Sequence, residues 1–242
     1  MKMKLSDVKK YIADLFLPNR CPACSKVIPW DKTMCRKCRE KLTVITDELC
    51  SVCGKSKCID HSKLAFDNCI ALFYYEQPCI NAIYALKYNK GSNFAQYSAD
   101  LFKTELKNKG LAEKIDLVTC VPMSGKKLRK RKYNQSEMIA KCICEQLGKP
   151  LDTSLIVHTD TLVDHHKLPK NEKADNAMSS FRIADDSKNL KGKTVLLCDD
   201  VYTTGSTMNA CASCLKKLGA KSVIAAAIAT TRHVEKRYDE ES

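Results

Sequence analysis

The residues best suited to chemistry lie in one short segment near the end of the chain. An apolar run, Val195–Cys198, leads directly into two adjacent carboxylates, Asp199 and Asp200. A hydroxyl-rich loop follows and opens a helix; its residues are Thr203, Thr204, Gly205, Ser206 and Thr207. A helix N-terminus offers unpaired backbone N–H groups and the positive end of its dipole to an anion. The segment therefore predicts a phosphate-binding site.

The parts of this segment have different uses. Gly205 lets the backbone approach a phosphate or adopt a positive φ, and the Thr and Ser side chains add hydroxyl donors. Because side chains alternate along an extended chain, Asp199 and Asp200 need not do the same job. One or both can accept hydrogen bonds from vicinal sugar hydroxyls at the carboxyl edge of a sheet. A helix-capping turn is the simpler interpretation, but capping needs fewer polar groups. The loop has no lysine, which argues against a Walker-type nucleotide site.

A second group of chemically able residues lies near the start of the chain, where seven of the fifteen cysteines are found. They form four consecutive pairs at x2 spacing: Cys21 and Cys24, Cys35 and Cys38, Cys50 and Cys53, Cys58 and His61. Two such turns complete a tetrahedral site, so we predict two structural Zn²⁺ ions, bound in sequence order by four cysteines and then by three cysteines and His61. A single ion or an interleaved pairing is the alternative. Cys211 and Cys214 repeat the spacing on a predicted helix, where we expect them to fill the core.

Composition limits the class of protein. The chain has 242 residues, enough for one α/β domain of about 150–180 residues and a smaller module. The longest apolar run, Val223–Ala229, is far shorter than the ~20 residues that cross a bilayer. The N-terminal residues lack the apolar block of a signal peptide, and clustered cysteines favour metal over disulfides, so we predict a cytoplasmic protein without a membrane span.

The chain is strongly basic, with a formal net charge of +13. A four-cysteine zinc site changes this by −2 and a three-cysteine, one-histidine site by −1, which leaves about +10. Such a surface suits phosphates, nucleic acid or anionic lipid and does not choose among them.

The elements that must position these residues follow from periodicity. Residues 1–17 have helical spacing that ends at Pro18. Strands are predicted over 70–75, 116–121, 155–158, 194–198 and 222–229, and helices over 79–87, 94–106, 134–147 and 207–218. Residues 159–180 are polar and without periodicity, which indicates a loop or hood. Alternation of this kind predicts an α/β fold with a largely parallel sheet.

With these pieces in place, residues 195–207 resemble the 13-residue signature of type I phosphoribosyltransferases. The whole chain resembles the ComF/GntX family of double-zinc-ribbon proteins. The resemblance rests on the zinc ligands and the signature, together with Leu86-Lys87-Tyr88, Val121-Pro122 and Tyr133-Asn134-Gln135. It implies a type I phosphoribosyltransferase-like parallel sheet with helices on both faces. The expected organisation is an amphipathic helix at 1–20, a double zinc ribbon at 21–65 and the phosphoribosyltransferase-like domain at 66–242.

The resemblance also implies a ligand, 5-phosphoribosyl-1-pyrophosphate (PRPP), bound with Mg²⁺. Asp199 and Asp200 would hold the ribose hydroxyls as the catalytic acids, and Thr203–Thr207 would wrap the 5-phosphate. The turn that contains Met123 and Ser124 would face the pyrophosphate, with Lys126 adding positive charge. Transfer would be a displacement at the sugar C1 through an oxocarbenium-like transition state. Lys132 stands where relatives usually carry glycine, and Thr161, His165 and His166 replace their Arg-x-Thr and Gln pattern, so the acceptor is not identified.

A basic run follows the predicted pyrophosphate turn, with six cations in seven positions: Lys126, Lys127, Arg129, Lys130, Arg131 and Lys132. It is open to three interpretations, namely a solvated flexible loop, a loop that closes on pyrophosphate, or a nucleic-acid contact. In the third, Tyr133 would stack on a base, which suits single strands.

Three functions therefore compete. The chain is a phosphoribosyl-transferring enzyme, a PRPP-binding protein without turnover, or a DNA-handling protein that binds single-stranded DNA through the zinc module and basic face. The third is compatible with the first. The family resemblance implies a role in DNA uptake and natural transformation, with competence machinery such as a ComF-type helicase as partner.

Overall fold

The computed structural model describes residues 18–45, 49–55, 60–88, 92–161 and 180–232. The predicted N-terminal helix over residues 1–17 lies outside this part of the chain, as do Cys58, His165 and His166. None of the helices in the described ranges is long and apolar enough to cross a membrane.

A four-stranded parallel sheet forms the centre of the fold, in the order β1-β6-β5-β2. Its strands are β1 (Asn68–Tyr74), β2 (Leu117–Cys120), β5 (Thr194–Tyr202) and β6 (Ser222–Thr230). A separate antiparallel pair consists of β3 (Ile156–His158) and β4 (Phe181–Ile183). The parallel α/β sheet predicted from strand–helix alternation is confirmed.

The described residues contain six α-helices, one in the cysteine-rich module and five after β1. They are α1 (Arg36–Glu40), α2 (Cys79–Tyr88), α3 (Asn93–Asn108), α4 (Gly125–Arg131), α5 (Gln135–Leu147) and α6 (Ser206–Lys217). Short 3-10 turns lie at His61–Lys63, Ala112–Lys114 and Thr159–Thr161.

The sheet is buried on both faces because its strands alternate between two cores. Leu196 and Cys198 of β5 point to the core shared with α2, α3 and α5, whereas Val195 and Leu197 point to the core shared with α6. Parallel sheets of this kind are covered on both sides, which explains the uninterrupted apolar run of β6. Cys211 and Cys214 are buried in the α6 core, as predicted.

The zinc module packs on the same body. Its Cys21, Ile28, Met34 and Cys38 belong to the core of α2, α3 and α5. After the first two cysteine pairs, residues 43–45 lie along the outer edge of β1. Ile45 donates its N–H to the Leu72 carbonyl at 3.1 Å, and Tyr74 donates to the Thr43 carbonyl at 2.9 Å.

The strand predicted at 155–158 is confirmed as β3, although it pairs with β4, which was not predicted, and lies outside the parallel sheet. Two other predictions about elements are wrong. The strand that begins at Thr194 does not end at Cys198 but continues through both carboxylates to Tyr202, because β6 pairs with it as far as Thr230. The basic run is a helix rather than a flexible loop; Ser124 caps its N-terminus by accepting from the Lys127 N–H at 3.5 Å.

Candidate active site

The site lies at the carboxyl edge of the sheet, where β2 ends beside Cys198 and β5 continues through the two acids. Cys120 and Cys198 are in register, and the Val121 N–H donates to the Cys198 carbonyl at 3.0 Å. The turn after β2 therefore lies beside the acids of β5. Asn134 holds this turn from the start of α5, since its side-chain amide donates to the Val121 carbonyl at 2.9 Å.

The two acids have different partners. Asp199 Oδ1 accepts from Ser136 Oγ at 2.7 Å and from the Asp200 backbone N–H at 2.9 Å. Asp200 forms an ion pair with Lys87, near the end of α2. Both acids are buried, so each depends on these contacts for its orientation. The expectation that neighbouring acids play separate parts agrees with this arrangement.

The surroundings of Asp199 disfavour the charged form of its carboxyl group. Burial, together with repulsion from Asp200, raises the pKa of Asp199 to about 7, although the hydrogen bonds from Ser136 and the Asp200 N–H oppose the shift. A carboxyl that titrates near neutrality in a cleft is typical of a functional position.

The loop between β5 and α6 encloses a small concavity of about 30 Å³. Gly205 has a φ of +84°, and a Cβ there would lie 2.7 Å from Cε2 of Tyr202, so both conformation and space require glycine. Thr204 Oγ1 and Ser206 Oγ are 3.0 Å apart. Thr203, Thr204 and Ser206 are exposed at the first turn of α6, where backbone N–H groups and hydroxyls are available to an anion.

A larger cleft of about 320 Å³ adjoins this concavity. Asp199 and Thr207 line both spaces, so the two lie side by side. The cleft is also lined by the turn after β2, including Met123 and Ser124, and by three cations. These cations are Lys87, Lys127 and Arg131. Of the described residues predicted to face pyrophosphate, Lys126 is exposed on α4 and is not among those that line the cleft.

The hood formed by β3 and β4 closes one side of the cleft. His158 and Phe181 line it, with ring centroids 5.1 Å apart in an edge-on arrangement. Burial lowers the pKa of His158, while nearby Asp160 opposes the shift. Sequence reasoning did not single out His158.

The surface beside the cleft carries an aromatic pair that sequence reasoning also missed. Tyr84 and Tyr88, one helical turn apart on α2, are 61% and 45% exposed, with ring centroids 4.5 Å apart. The Arg131 guanidinium lies 4.9 Å from the Tyr88 ring centroid. Tyr133, predicted to stack on a base, is half-buried and donates its hydroxyl to the Leu86 carbonyl at 2.7 Å. Arg129 and Lys130 on α4 are exposed, and so is Lys132, the residue that follows this helix.

The first set of predicted zinc ligands is brought together. The Sγ atoms of Cys21, Cys24, Cys35 and Cys38 all lie within 4.8 Å of one another. Cys24 Sγ and Cys35 Sγ are 3.8 Å apart, which matches the edge of about 3.8 Å in a tetrahedron with Zn–S bonds of about 2.3 Å. Four sulfur donors leave no open position, so the group fits a structural zinc ion.

The second set is brought together as far as it is described. The ligand atoms of Cys50, Cys53 and His61 lie within 4.8 Å of one another, with Cys50 Sγ and His61 Nε2 3.4 Å apart. Gly54, with a φ of +65°, closes the knuckle and donates to the Cys50 carbonyl at 2.8 Å. His61, the one histidine among the predicted ligands, lies at this cluster. These three residues fit a zinc ion that a fourth donor completes.

Lys87 and Ser136 were not predicted as site residues. Lys87 lies in the Leu86-Lys87-Tyr88 motif, and Ser136 follows the Tyr133-Asn134-Gln135 motif. The two motifs support the family resemblance but do not by themselves give these residues a role. In the sequence, each of the two is a polar residue near a helix end, and such a residue looks the same as an ordinary helix cap.

Comparison with known proteins bears on these features. The family described as "Phosphoribosyl transferase domain" matches residues 86–241, and the one described as "Double zinc ribbon domain" matches residues 12–70. Competence protein ComFC of Bacillus subtilis (strain 168) is 23% identical over 78% of this chain and 80% of its own. DNA utilization protein YhgH of Escherichia coli (strain K12) is 26% identical over 84% of this chain and 86% of its own. A solved purine phosphoribosyltransferase from Pyrococcus horikoshii Ot3 is 21% identical over 57% of this chain and 75% of its own, with a TM-score of 0.35.

Proposed function

Because this chain belongs to the phosphoribosyl transferase domain family and carries a double zinc ribbon, we propose that it binds PRPP with Mg²⁺ and transfers the phosphoribosyl group to an acceptor. The relatives named for competence and DNA utilization support a role in DNA uptake. For this role, the proposed partner is competence machinery such as a ComF-type helicase. The proposed location is the cytoplasm. PRPP binding without turnover is the alternative for the same cleft.

The observation that carries the proposal is that the two spaces adjoin at Asp199 and Thr207, which line both of them. A phosphate held by the loop at the start of α6 leaves its ribose beside the paired acids. The diphosphate then extends toward the turn after β2, where Lys127 and Arg131 supply positive charge. One ligand with a phosphate at each end of a ribose fits this order of groups.

Transfer would break the bond between C1 and the pyrophosphate oxygen and form a bond between C1 and the acceptor. Positive charge develops on the sugar ring as this bond breaks. The acids that hold the ring hydroxyls lie next to this charge, and they would stabilise an oxocarbenium-like transition state. Pyrophosphate leaves with its negative charge balanced by Lys127 and Arg131. Mg²⁺, held mainly by pyrophosphate and ribose oxygens, would neutralise the leaving group further. His158 and Phe181 line the part of the cleft that remains for the acceptor.

Calorimetric titration of the zinc-loaded protein with PRPP tests the proposal. We expect Mg²⁺-dependent binding that is abolished by Asp199→Asn together with Asp200→Asn, with zinc content unchanged. Asp186→Asn, an exposed acid, is the matched control and should bind as the wild type does. Absence of Mg²⁺-dependent binding by the wild type would remove both the transferase and the sensor. Pyrophosphate release with a panel of bases then separates the two, since a sensor releases none with any acceptor.

The aromatic pair on α2 favours single-stranded DNA as a second ligand. Tyr84 and Tyr88 are exposed beside α4, whose cations supply the electrostatic term for a phosphate backbone. Exposed rings stack on bases without regard to sequence. Tyr133 is less favourable as a stacking residue, because it is half-buried and its hydroxyl donates to the Leu86 carbonyl.

Fluorescence anisotropy with a single-stranded oligonucleotide tests this. Tyr84→Ala and Tyr88→Ala should each weaken binding by about 5-fold to 160-fold, as the loss of about 1–3 kcal/mol of stacking predicts, while the Phe variants retain affinity. Lys127→Ala with Lys130→Ala should flatten the dependence of affinity on salt, whereas Lys107→Ala with Lys109→Ala on α3 should not. Equal affinities for the Ala and Phe variants would contradict stacking.

A further inference from the structure

Lys55 lies two residues after Cys53 and is almost fully buried, with 6% of its surface exposed. Its ammonium donates to the carbonyl of Thr203, the first residue of the phosphate loop, and to Thr230 Oγ1 at 3.3 Å. It also lies 4.5 Å from the centroid of the Tyr202 ring. Lysine is rarely buried, and both of these oxygens are uncharged. The chain that follows the Cys50 and Cys53 pair therefore contacts the start of the phosphate loop through Lys55.

Tyr202 forms a second link between the knuckle and the loop. Its hydroxyl donates to the carbonyl of the zinc ligand Cys53 at 2.8 Å. Its ring packs against Gly205, where a Cβ would lie only 2.7 Å from Cε2. The position of this ring thus limits the path of the loop, and the knuckle limits the position of the ring.

A third link joins the chain after His61 to the helix that the loop opens. Asn209 on α6 donates from Nδ2 to the Lys63 carbonyl at 2.9 Å and accepts the Ala65 N–H at Oδ1 at 2.6 Å. The second zinc cluster is consequently attached to both ends of the phosphate loop. By contrast, the first cluster belongs to the core on the opposite face of the sheet.

A bound metal ion would hold this arrangement in place, because a cysteine knuckle this short cannot form a core of its own. A site with three thiolates and one neutral histidine has a net charge of −1. A zinc ion bound at Cys50, Cys53 and His61 would place that charge near Lys55, which follows Cys53 by two residues, and the charge would offset the buried ammonium. Zinc would thus supply both the shape and the charge that keep Lys55 against Thr203.

We infer that the second zinc site positions the phosphate loop through Lys55 and Tyr202, so that zinc occupancy at this site and affinity for PRPP are coupled. The inference rests on the proposed function for its ligand, but the state of the loop can be measured without that ligand. Lys55 and Tyr202 are positioning residues in this scheme. Coupling between two binding equilibria is reciprocal, so PRPP must tighten zinc by the same factor by which zinc tightens PRPP.

The test compares Lys55→Met and Tyr202→Phe with two controls on α3, the exposed Lys107→Met and Tyr97→Phe. Amide hydrogen exchange of residues 203–207 in the ligand-free, zinc-loaded protein should be about tenfold faster in both test variants. PRPP affinity should fall about tenfold, with zinc content equal to that of the wild type. Both controls should match the wild type. Two separate variants guard against loss of folding in one of them.

Chelator competition then tests reciprocity. PRPP should slow the release of zinc from the second site in the wild type, and this protection should disappear in Lys55→Met combined with Tyr202→Phe. Wild-type loop exchange and affinity in both single variants would overturn the inference. If the wild type does not bind PRPP, the proposed function fails, and loop exchange alone still decides whether the knuckle positions the loop.

Discussion

At the scale of single residues, Asp199 places ligand recognition in conflict with stability. Its pKa is raised from 3.8 to about 7 by burial and by Asp200. The folded state therefore holds this proton more tightly than the unfolded chain does. Folding stability should fall as the pH rises from about 4 to about 7 and level off above that.

We predict that Asp199→Asn stabilises the fold at pH 8 by roughly 2–4 kcal/mol, while changing it little near pH 4. The amide oxygen can still accept from Ser136 and from the Asp200 N–H, so the local geometry is retained. Urea denaturation at the two pH values measures the difference. An equal effect at both pH values would show that the carboxyl of Asp199 is not held near neutrality. The same variant should lose PRPP binding, as expected where function opposes stability.

The loop and the zinc ligands were predictable because their residues are adjacent or regularly spaced in the chain. The partners of these residues were not. Lys87 and Ser136 reach the acids from α2 and α5, and Lys55 reaches the loop across 148 positions. Only packing brings such residues together, so local patterns carry no signal for them.

At the scale of elements, α4 ends with a conformation that its sequence resists. Lys132 has a φ of 68° and a ψ of 2°, in the left-handed region, where its N–H donates to the Leu128 carbonyl at 2.7 Å. The chain carries lysine where the resembled family usually carries glycine. This geometry gives a physical reason for that preference, because glycine adopts a positive φ without a steric cost.

Lys132→Gly should therefore stabilise the protein, by about 0.5–1 kcal/mol, since relief of the left-handed backbone outweighs the entropy lost on ordering glycine. Arg129→Gly, inside the same helix, should destabilise it by about 1 kcal/mol. Chemical denaturation distinguishes the two. A loss of stability in Lys132→Gly would mean that the lysine side chain makes contacts worth more than the strain.

Elements with strong periodicity were predicted to within about two residues, as β6 and α5 illustrate. β4 was missed because three residues of a two-stranded ribbon have no measurable period. The extension of β5 through Asp199 and Asp200 was missed because acids are uncommon in strands, and only the ladder to β6 holds them there. The helicity of α4 was missed because a run of cations has no apolar face.

At the scale of the whole molecule, the zinc module and the sheet share one core. Cys21, Ile28 and Cys38 pack in the same cluster as Phe73 and Phe94. We predict that removal of zinc lowers the melting temperature of the entire chain in a single transition, because a ligand bound only by the folded state stabilises all that folds with it. Differential scanning calorimetry with and without a chelator measures this. Two transitions, with the upper one unmoved, would show that the sheet folds independently of the module.

The residues that run along β1 have a consequence for how copies of this chain behave toward one another. Sheet edges with free N–H and C=O groups recruit strands from other molecules and begin aggregation. Thr43, Ile45 and Ser51 occupy those groups on β1, Ser51 by accepting from the Cys69 N–H at 2.9 Å. A chain shortened to start at residue 66 would lose this cover and should self-associate at concentrations where the full chain stays monodisperse. By covering the edge of β1, the zinc module is expected to limit self-association of the domain that follows it.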